Sequence, residues 1–382
     1  MSEKTILVLG GGIGGIVAAN KLRRLLSRRH NVVVVDREAE FTLAASFLWV
    51  MSGERRPDQI SKPLSALKRK GIEVLQGEIE QIDPIRRLAV VSGKTIQADY
   101  LVIALGARFA PEAVHGLEEY GNTFCTLDGA VKLRDALAEV RSGRILVLTA
   151  APAYKCPAAP YEAAMLIDDL LRKKGLRKSV EVELHSAEPG PMGVAGPEVS
   201  NAVKAMVERK GIAYCPSHQI ERADGRKVVF TDGVEREFDL MVYVPPIRPP
   251  VALSSSGLTD ESGWVPVDRH TLATGFENVY AVGDVTIIPL TMGKPLPRAG
   301  VFAHGQAEVV ANSIARAIRG KGVERKYNGH GACFIEIGSG KAGFGAGNFY
   351  ADPLPAVKMK NPGWYWHAAK VLFEKQVMWQ WL

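Results

Sequence analysis

Four cysteines, Cys125, Cys156, Cys215 and Cys333, are the side chains in this 382-residue chain best suited to redox or nucleophilic chemistry. They are few and dispersed, and no two have C-x-x-C spacing, which argues against a disulfide scaffold and a sequence-local redox pair. Any sulfur chemistry must therefore be assembled by the fold. Cys156 has the most telling surroundings. It lies in "APAYKCPAAPYEA", residues 151–163, beside Lys155 and just before a helical pattern starting near Tyr161. The thiolate is the reactive form of cysteine, and a neighbouring cation or helix N-terminus favours it. Lys155 and that helix are expected to supply both. Glu162 reads either as a proton acceptor or as a first-turn acid favoured by the helix dipole. Taken alone, Cys156 also fits a small buried hydrophobe. Cys215, in "GIAYCPSH", is read as structural. No zinc-finger spacing occurs, and no metal is expected.

The elements that must position these groups begin at the N-terminus. "TILVLG", residues 5–10, reads as a buried parallel strand. A G-x-G-x-x-G follows at Gly10, Gly12 and Gly15, then a helical pattern, then the strand "NVVVVD" ending at Asp36. Strand, glycine loop, helix, strand and acid form a complete dinucleotide-binding unit. Its glycines admit a tight turn and close approach to a pyrophosphate, the helix N-terminus attracts that group, and the acid takes ribose hydroxyls. Two later strands, "ADYLVIALGAR" closing on Gly106 and "TGFENVYAVGDVT" closing on Gly283-Asp284, complete the first unit.

The intervening chain repeats the alternation. "GRILVLTA" is a strand, "YEAAMLIDDLLRKKG" a helix, "VEVELHS" a strand and "EVSNAVKAMVERKG" a helix, while "KVVFTDGVEREFDLMVYV" suggests a hairpin and a last strand. The first turn of this second unit reads Thr149-Ala150-Ala151-Pro152-Ala153, without glycine. Its Cβ atoms would crowd a pyrophosphate and its prolines remove amide donors. A nicotinamide site is therefore expected to be vestigial. The α/β chain divides into a discontinuous dinucleotide-binding domain, 1–112 and 246–325, a degenerate second domain, 113–245, and a C-terminal segment, 326–382.

The motifs, in this order, resemble the flavoproteins with two Rossmann-like dinucleotide-binding domains, the glutathione-reductase-like FAD/NAD fold. That resemblance implies bound FAD, with Asp284 on its ribityl chain and Gly106 at a nearby crossover. More narrowly, the chain resembles sulfide:quinone oxidoreductases and the related flavocytochrome c sulfide dehydrogenases. "KCPAAPYE" is similar to the dehydrogenase branch; "PLPRAGVFAHGQAEVVANSIA", residues 295–315, and "KVLFEK" are similar to the quinone-reducing branch. The resemblance implies that Cys156 and Cys333 flank the flavin and hold sulfur in a bridge, with Cys125 assisting sulfur release. It puts His304, in "VFAHGQA", near the flavin pyrimidine edge. Two departures stand out. Residues 41–50 contain no cysteine, so the covalent flavin link of the dehydrogenase branch is absent there, and Arg298 replaces a lysine usual in quinone-reducing members. Arg298 is retained among the cofactor-binding candidates, although Arg and Lys differ in hydrogen-bond geometry.

The tail, "NPGWYWHAAKVLFEKQVMWQWL", holds four of the six tryptophans. At about 100° per residue, His367, Lys370 and Glu374 share a narrow polar arc, while Trp364, Ala368, Val371, Leu372, Met378 and Trp379 share a broad apolar one. Such a helix is expected to rest on a membrane surface, or else to pack in a dimer interface or on the core. Phe349 and Tyr350 are expected to sandwich a quinone ring. The net charge of +7 suits an anionic membrane surface or anionic substrates as well as an ordinary solvated surface, and no basic arm for nucleic acid is present. No signal peptide or apolar run long enough to span a bilayer is read, so the protein is expected to lie peripherally on the cytoplasmic face, with a homo-oligomer left open. The function expected is FAD-dependent oxidation of sulfide to polysulfide or sulfur, with electrons passed to a quinone. The alternatives are a cytochrome-reducing sulfide dehydrogenase, opposed by the tail and the missing linking cysteine; an NADH:quinone reductase, opposed by the glycine-free second loop; and a non-enzymatic flavin-bound sensor or scaffold.

Overall fold

The computed structural model describes residues 2–382. Thr5–Leu9 is almost wholly buried and pairs in parallel with Asn31–Asp36 and Tyr100–Ile103. Val279–Ala281 and Glu73–Gln76 close the two sides of this five-stranded parallel sheet. Strands buried on both faces need a continuous apolar sequence, which "TILVL" and "VVVV" provide. Helix Ile13–Leu25 packs against helix Gly300–Arg319 on one face of the sheet. The connection between first strand and first helix depends on glycine. Gly10 has φ +109°, and a Cβ at Gly15 would lie 1.8 Å from the Gly10 carbonyl oxygen.

A second five-stranded parallel sheet has the order Gly121–Asn122, Leu240–Val244, Gly143–Thr149, Val180–His185, Ala213–Cys215. The hairpin expected after it is present: Lys227–Phe230 pairs antiparallel with Glu235–Glu237. The mixed α/β character and the dinucleotide-binding architecture are thus as read from the sequence.

The C-terminal segment forms a three-stranded antiparallel sheet, His330–Gly338, Lys341–Asn348 and Ala356–Gly363, and then helix Trp364–Gln380. Its first strand lies along helix Ala159–Lys173 of the second unit. That helix begins two residues before Tyr161, with Pro160 in its first turn, where a missing N–H costs nothing. It is buried along most of its length, between its own sheet and the C-terminal strand. Two bonds fix the register: Glu336 N–H donates to Glu162 Oε1 at 2.8 Å, and Ser339 Oγ donates to Asp169 Oδ1 at 2.6 Å. Cys156 and Cys333 therefore sit on two elements that are clamped together.

Replacing Gly15 with Ala is expected to lower stability by about 1–3 kcal/mol and to weaken dinucleotide retention. Thermal melts and the visible spectrum of the purified variant check both; an unchanged melt and spectrum would contradict the turn's assigned geometry.

Candidate active site

Cys156 follows a loop that is tied to the first domain. Its N–H donates to the Arg298 carbonyl at 2.9 Å, and Lys155 and Arg298 form a parallel bridge. Its own carbonyl accepts from Ala159 N–H at 2.9 Å, so the chain enters the helix directly. These bonds hold Cys156 at φ +58°, a left-handed conformation uncommon for a residue with a Cβ. Cys333 is mid-strand, opposite Gly345, and its thiol donates to the Phe334 carbonyl at 3.2 Å. Both thiols line one cavity of about 310 Å³, with predominantly apolar walls, within the size range of small-molecule sites.

The electrostatics correct one expectation. Lys155 does not activate Cys156; its ammonium pairs with Asp284 Oδ2 at 3.3 Å and lies over the Phe109 ring. Desolvation holds the Cys156 thiol well above its ordinary range, and negative charge on Cys333 or Glu162 raises it further. Cys156 has an exposed surface, but that surface opens on the cavity, and the surrounding protein governs its proton affinity. Burial likewise pushes Cys333 up to about 12, with Glu162 adding to the shift and Lys370 opposing it. Cys125 is pushed up to about 11 by burial, against the Thr123 hydroxyl and Lys155. Negative charge on Cys125 would also raise Cys156, as a smaller influence, but Cys125 does not line the cavity that Cys156 and Cys333 share.

The side chain opposing Cys333 belongs to a buried ionic network that sequence reading did not assemble. Lys370 Nζ donates to Glu162 Oε1 at 3.0 Å and lies 4.0 Å from Glu336 Oε1. His367 Nδ1 is 2.9 Å from Glu336 Oε2. All three charged groups of this core are under a tenth exposed. Burial alone would lower Lys370; Glu162 and Glu336 outweigh it and hold the ammonium above its usual value. Burial raises Glu336, partly offset by Lys370 and His367. Trp49 floors the network, 4.9 Å from the Lys370 ammonium and 5.7 Å from the His367 ring. Glu162 is therefore no simple first-turn acid. The one sequence sign of Glu336 was a lone carboxylate within the apolar strand "ACFIEIG".

The remaining expected site residues separate into two groups. Arg298 lines the cavity, stacks its guanidinium 3.7 Å above Trp264, and donates from Nε to the Asp284 carbonyl at 2.9 Å. Gly283 N–H donates to Gln306 Oε1 at 2.6 Å, so a buried glutamine, unforeseen from the sequence, fixes the Gly-Asp turn. Phe349 lines the cavity and meets Phe302 edge-on at 4.9 Å. Tyr350 does not share that cavity. It lies under the Arg269 guanidinium at 3.9 Å and donates its hydroxyl to the Arg269 carbonyl, in the turn that follows strand Lys341–Asn348. The two therefore do not sandwich a ring. His304 also lies outside the cavity lining, its ring 5.5 Å from Trp381.

The first glycine loop suits a pyrophosphate. Helix Ile13–Leu25 has Gly12 as its N-cap and no side-chain cap, and a Cβ at Gly12 would meet nothing within 4 Å. Asp36 lies beside the loop, accepting from Gly11 N–H, and Gly106 has φ +67° at the end of the neighbouring strand. Open space at Gly12, bare helix amides and an adjacent carboxylate match what a dinucleotide needs. The second loop offers none of this. Thr149 Oγ1 takes the Ala187 N–H at 2.9 Å, and Gln219 Nε2 takes the Ala150 carbonyl at 2.7 Å. Glu188, where a ribose-binding acid would stand, is taken by the Tyr154 hydroxyl at 2.6 Å.

The C-terminal helix is oriented polar side inward. His367 and Lys370 enter the network above, and Glu374 takes Arg55 at 2.8 Å and Ser46 at 2.6 Å. Trp364, Leu372 and Trp379 are 70%, 69% and 77% exposed. Met378, expected in that outer arc, is buried, and Ala368 and Val371 are half-buried, because the helix lies close along the body. Lys62 donates to the Met378 carbonyl, Lys70 to the Gln380 carbonyl and Asn20 to the Trp381 carbonyl, which satisfies the end of the chain. Among the described residues, no helix is long and apolar enough to cross a membrane.

Residues 4–316 match the family described as pyridine nucleotide-disulphide oxidoreductase. The chain belongs to that family and is an oxidoreductase. Within it, the expected resemblance holds over nearly the whole length. The chain is 29% identical to the sulfide-quinone reductase of Aquifex aeolicus, over 99% of this chain and 91% of that protein. It is 24% identical to the mitochondrial sulfide:quinone oxidoreductase of Mus musculus, over 91% and 79%. The crystal structure of the Aquifex aeolicus sulfide:quinone oxidoreductase superposes with a TM-score of 0.90 at 27% identity, covering 99% of this chain and 91% of that one.

Removing one buried charge should be costly. Lys370→Met leaves Glu162 and Glu336 without their cation and is expected to lose about 3–5 kcal/mol in urea denaturation. A loss below about 1 kcal/mol, typical of an exposed pair, would contradict the network's burial. In reduced protein, alkylation of Cys125 and Cys333 followed by mass spectrometry should rise about tenfold per pH unit from pH 7 to 10. Their raised thiols are protonated throughout that interval; a plateau near pH 8 would refute the assignment.

Proposed function

We propose that this protein oxidises sulfide by two electrons at the Cys156/Cys333 pair and passes the electrons to a membrane quinone. The observation that carries the reading is the meeting of those two cysteines, distant in sequence, in one mainly apolar cavity. The relatives' named activity agrees with it.

In the working state Cys156 and Cys333 hold oxidised sulfur as a bridge. HS⁻ attacks the bridge sulfur on the Cys156 side. The new S–S bond leaves Cys156 as a persulfide, and the cleaved bond releases Cys333 as a thiolate. Lys370 favours that thiolate electrostatically. Because the Cys333 thiol is weakly acidic, its thiolate is a strong nucleophile once formed. FAD, bound by the Gly10–Gly15 loop with Asp36 and Asp284, supplies the two-electron acceptor when present. Cys125 assists the release of sulfur from Cys156. The net reaction, HS⁻ + quinone + H⁺ to sulfane sulfur + quinol, conserves atoms and charge.

The outward face of helix Trp364–Gln380 rests on the membrane. Tryptophans at both ends suit the headgroup region, and Leu372 and Phe373 suit the acyl boundary. Lys375, 62% exposed, extends its ammonium toward the headgroups. The enzyme is thus peripheral, and a lipid-soluble quinone is delivered where it is needed. Phe302 and Phe349 form the aromatic wall of the cavity.

In stopped-flow experiments without oxygen, sulfide should bleach the flavin and NADH should not. Cys156→Ser or Cys333→Ser should slow sulfide-dependent bleaching about 10³-fold or more, as for loss of a covalent catalyst. Wild-type rates in both variants would defeat the bridge mechanism, and rapid bleaching by NADH would favour an NADH:quinone reductase. Separately, Trp364→Ser/Leu372→Ser/Trp379→Ser should abolish flotation with anionic liposomes while leaving sulfide-dependent bleaching intact; unchanged flotation would reject the helix's assigned contact.

A further inference from the structure

His185, Cys215 and His218 converge outside the cysteine cavity, at the carboxyl ends of two adjacent strands of the second sheet. His185 and Cys215 are register partners on Val180–His185 and Ala213–Cys215. The chain then hooks back. Ser217 takes a left-handed φ of 59°, its N–H donates to the Glu188 carbonyl at 3.0 Å, and His218 N–H donates to the Ser186 carbonyl at 2.9 Å. The hook delivers His218 to His185, with their Nδ1 atoms 2.9 Å apart. One ligand atom from each of the three residues lies within 4.8 Å of the others. The His185 ring is wholly buried and stacked on Phe230, with centroids 4.8 Å apart and planes at 12°.

The far nitrogens of both rings face carboxylates. His185 Nε2 is 2.9 Å from Glu183 Oε2, and Glu183 shares its face because it lies two residues earlier on the strand. Arg144 holds Glu183 in turn, at 3.0 Å. His218 Nε2 is 3.8 Å from Asp232 Oδ2. At His185 the Glu183 carboxylate on Nε2 favours the proton there and leaves Nδ1 as a lone pair, the arrangement usual for metal-ligating histidines. That lone pair faces His218 Nδ1 and can be met either by a proton on His218 Nδ1 or by a cation shared by the two nitrogens.

We propose that His185 Nδ1, His218 Nδ1 and Cys215 Sγ bind one zinc-like divalent cation, with a fourth position open to water or a small ligand. Zinc bonds of about 2.0–2.1 Å to nitrogen and about 2.3 Å to sulfur set ligand atoms roughly 3.3–3.6 Å apart in a tetrahedron. To reach that, the two Nδ1 atoms, 2.9 Å apart, must part slightly and the wider separations, within 4.8 Å, must close by up to about 1 Å. The Cys215 thiolate, Glu183 and Asp232 supply the compensating charge. Burial disfavours the Cys215 thiolate, and a bound dication reverses that preference by displacing the proton. The site would pin the 215–218 hook against the second sheet.

The test uses holoenzyme freed of metal by chelation, titrated with Co²⁺ and then Zn²⁺. One Co²⁺ per chain should bind with a thiolate-to-cobalt charge-transfer band that Zn²⁺ bleaches. Cys215→Ser should lose the band, and His218→Gln should weaken Zn²⁺ binding about tenfold or more. Glu183→Gln should weaken binding by a similar factor while keeping the band. Sulfide-dependent flavin reduction should stay at the wild-type rate in all three. Absence of stoichiometric binding would overturn the proposal, as would a band that survives Cys215→Ser, which would assign the metal to the other cysteines. Cys215 and His218 are both partly exposed, so either variant carries the test if the other fails to fold.

Discussion

One buried ammonium holds this molecule's working parts together. Lys370, on the last helix, is shared by Glu162, on the helix that follows Cys156, and Glu336, on the strand that carries Cys333. Three segments remote in sequence thus meet at one charge. Burying ions is expensive, and an apolar replacement of the same shape is often as stable. What the ion pair adds is a penalty for displacement: a helix that slid or rolled would strand a buried charge. The same constraint turns the helix's polar arc inward and leaves Trp364 and Trp379 outside. The bonds of Glu336 N–H to Glu162, of Ser339 to Asp169 and of Glu374 to Arg55 and Ser46 support the same placement.

The first domain was largely legible in the sequence because local rules determine it. A buried parallel strand, a glycine turn and a terminal acid each have a signature spanning a few residues. The second unit was equally readable as alternating strands and helices, and the missing glycines pointed correctly to a changed loop. The site was legible only in part. Cys156 and Cys333 were recognised through family resemblance, since nothing in their spacing joins them. Glu336 and Lys370 were invisible as partners because they lie on separate elements of the C-terminal segment. The expected activation of Cys156 by Lys155 failed because Lys155 is drawn to Asp284, a partner far away in sequence. Phe349 and Tyr350 separated because the chain turns there and the tyrosine packs under Arg269. Cys215 read as structural because its partners are a register neighbour and a residue brought back by a hook, neither of which a linear motif reports.

The thiol environment also bears on how the sulfur chemistry is divided. An activated cysteine nucleophile is ordinarily made more acidic by a cation or a helix end. Here burial dominates, and the thiols become less acidic. That suits the part the proposed reaction gives them, to hold sulfur and then act as strong donors while external hydrosulfide makes the first attack. In that proposal the mainly apolar walls would favour neutral sulfur species and the Lys370 ammonium the thiolate that is released.

The second loop is closed by contacts that support one another. Tyr154 occupies Glu188, Thr149 occupies the Ala187 amide, and Gln219 occupies the Ala150 carbonyl. Restoring a single glycine would open no path for a pyrophosphate while those three contacts persist, and removing any one of them alone would strand a polar group. Admitting a pyrophosphate at this loop therefore takes several simultaneous changes, each of which alone leaves a polar group without its partner.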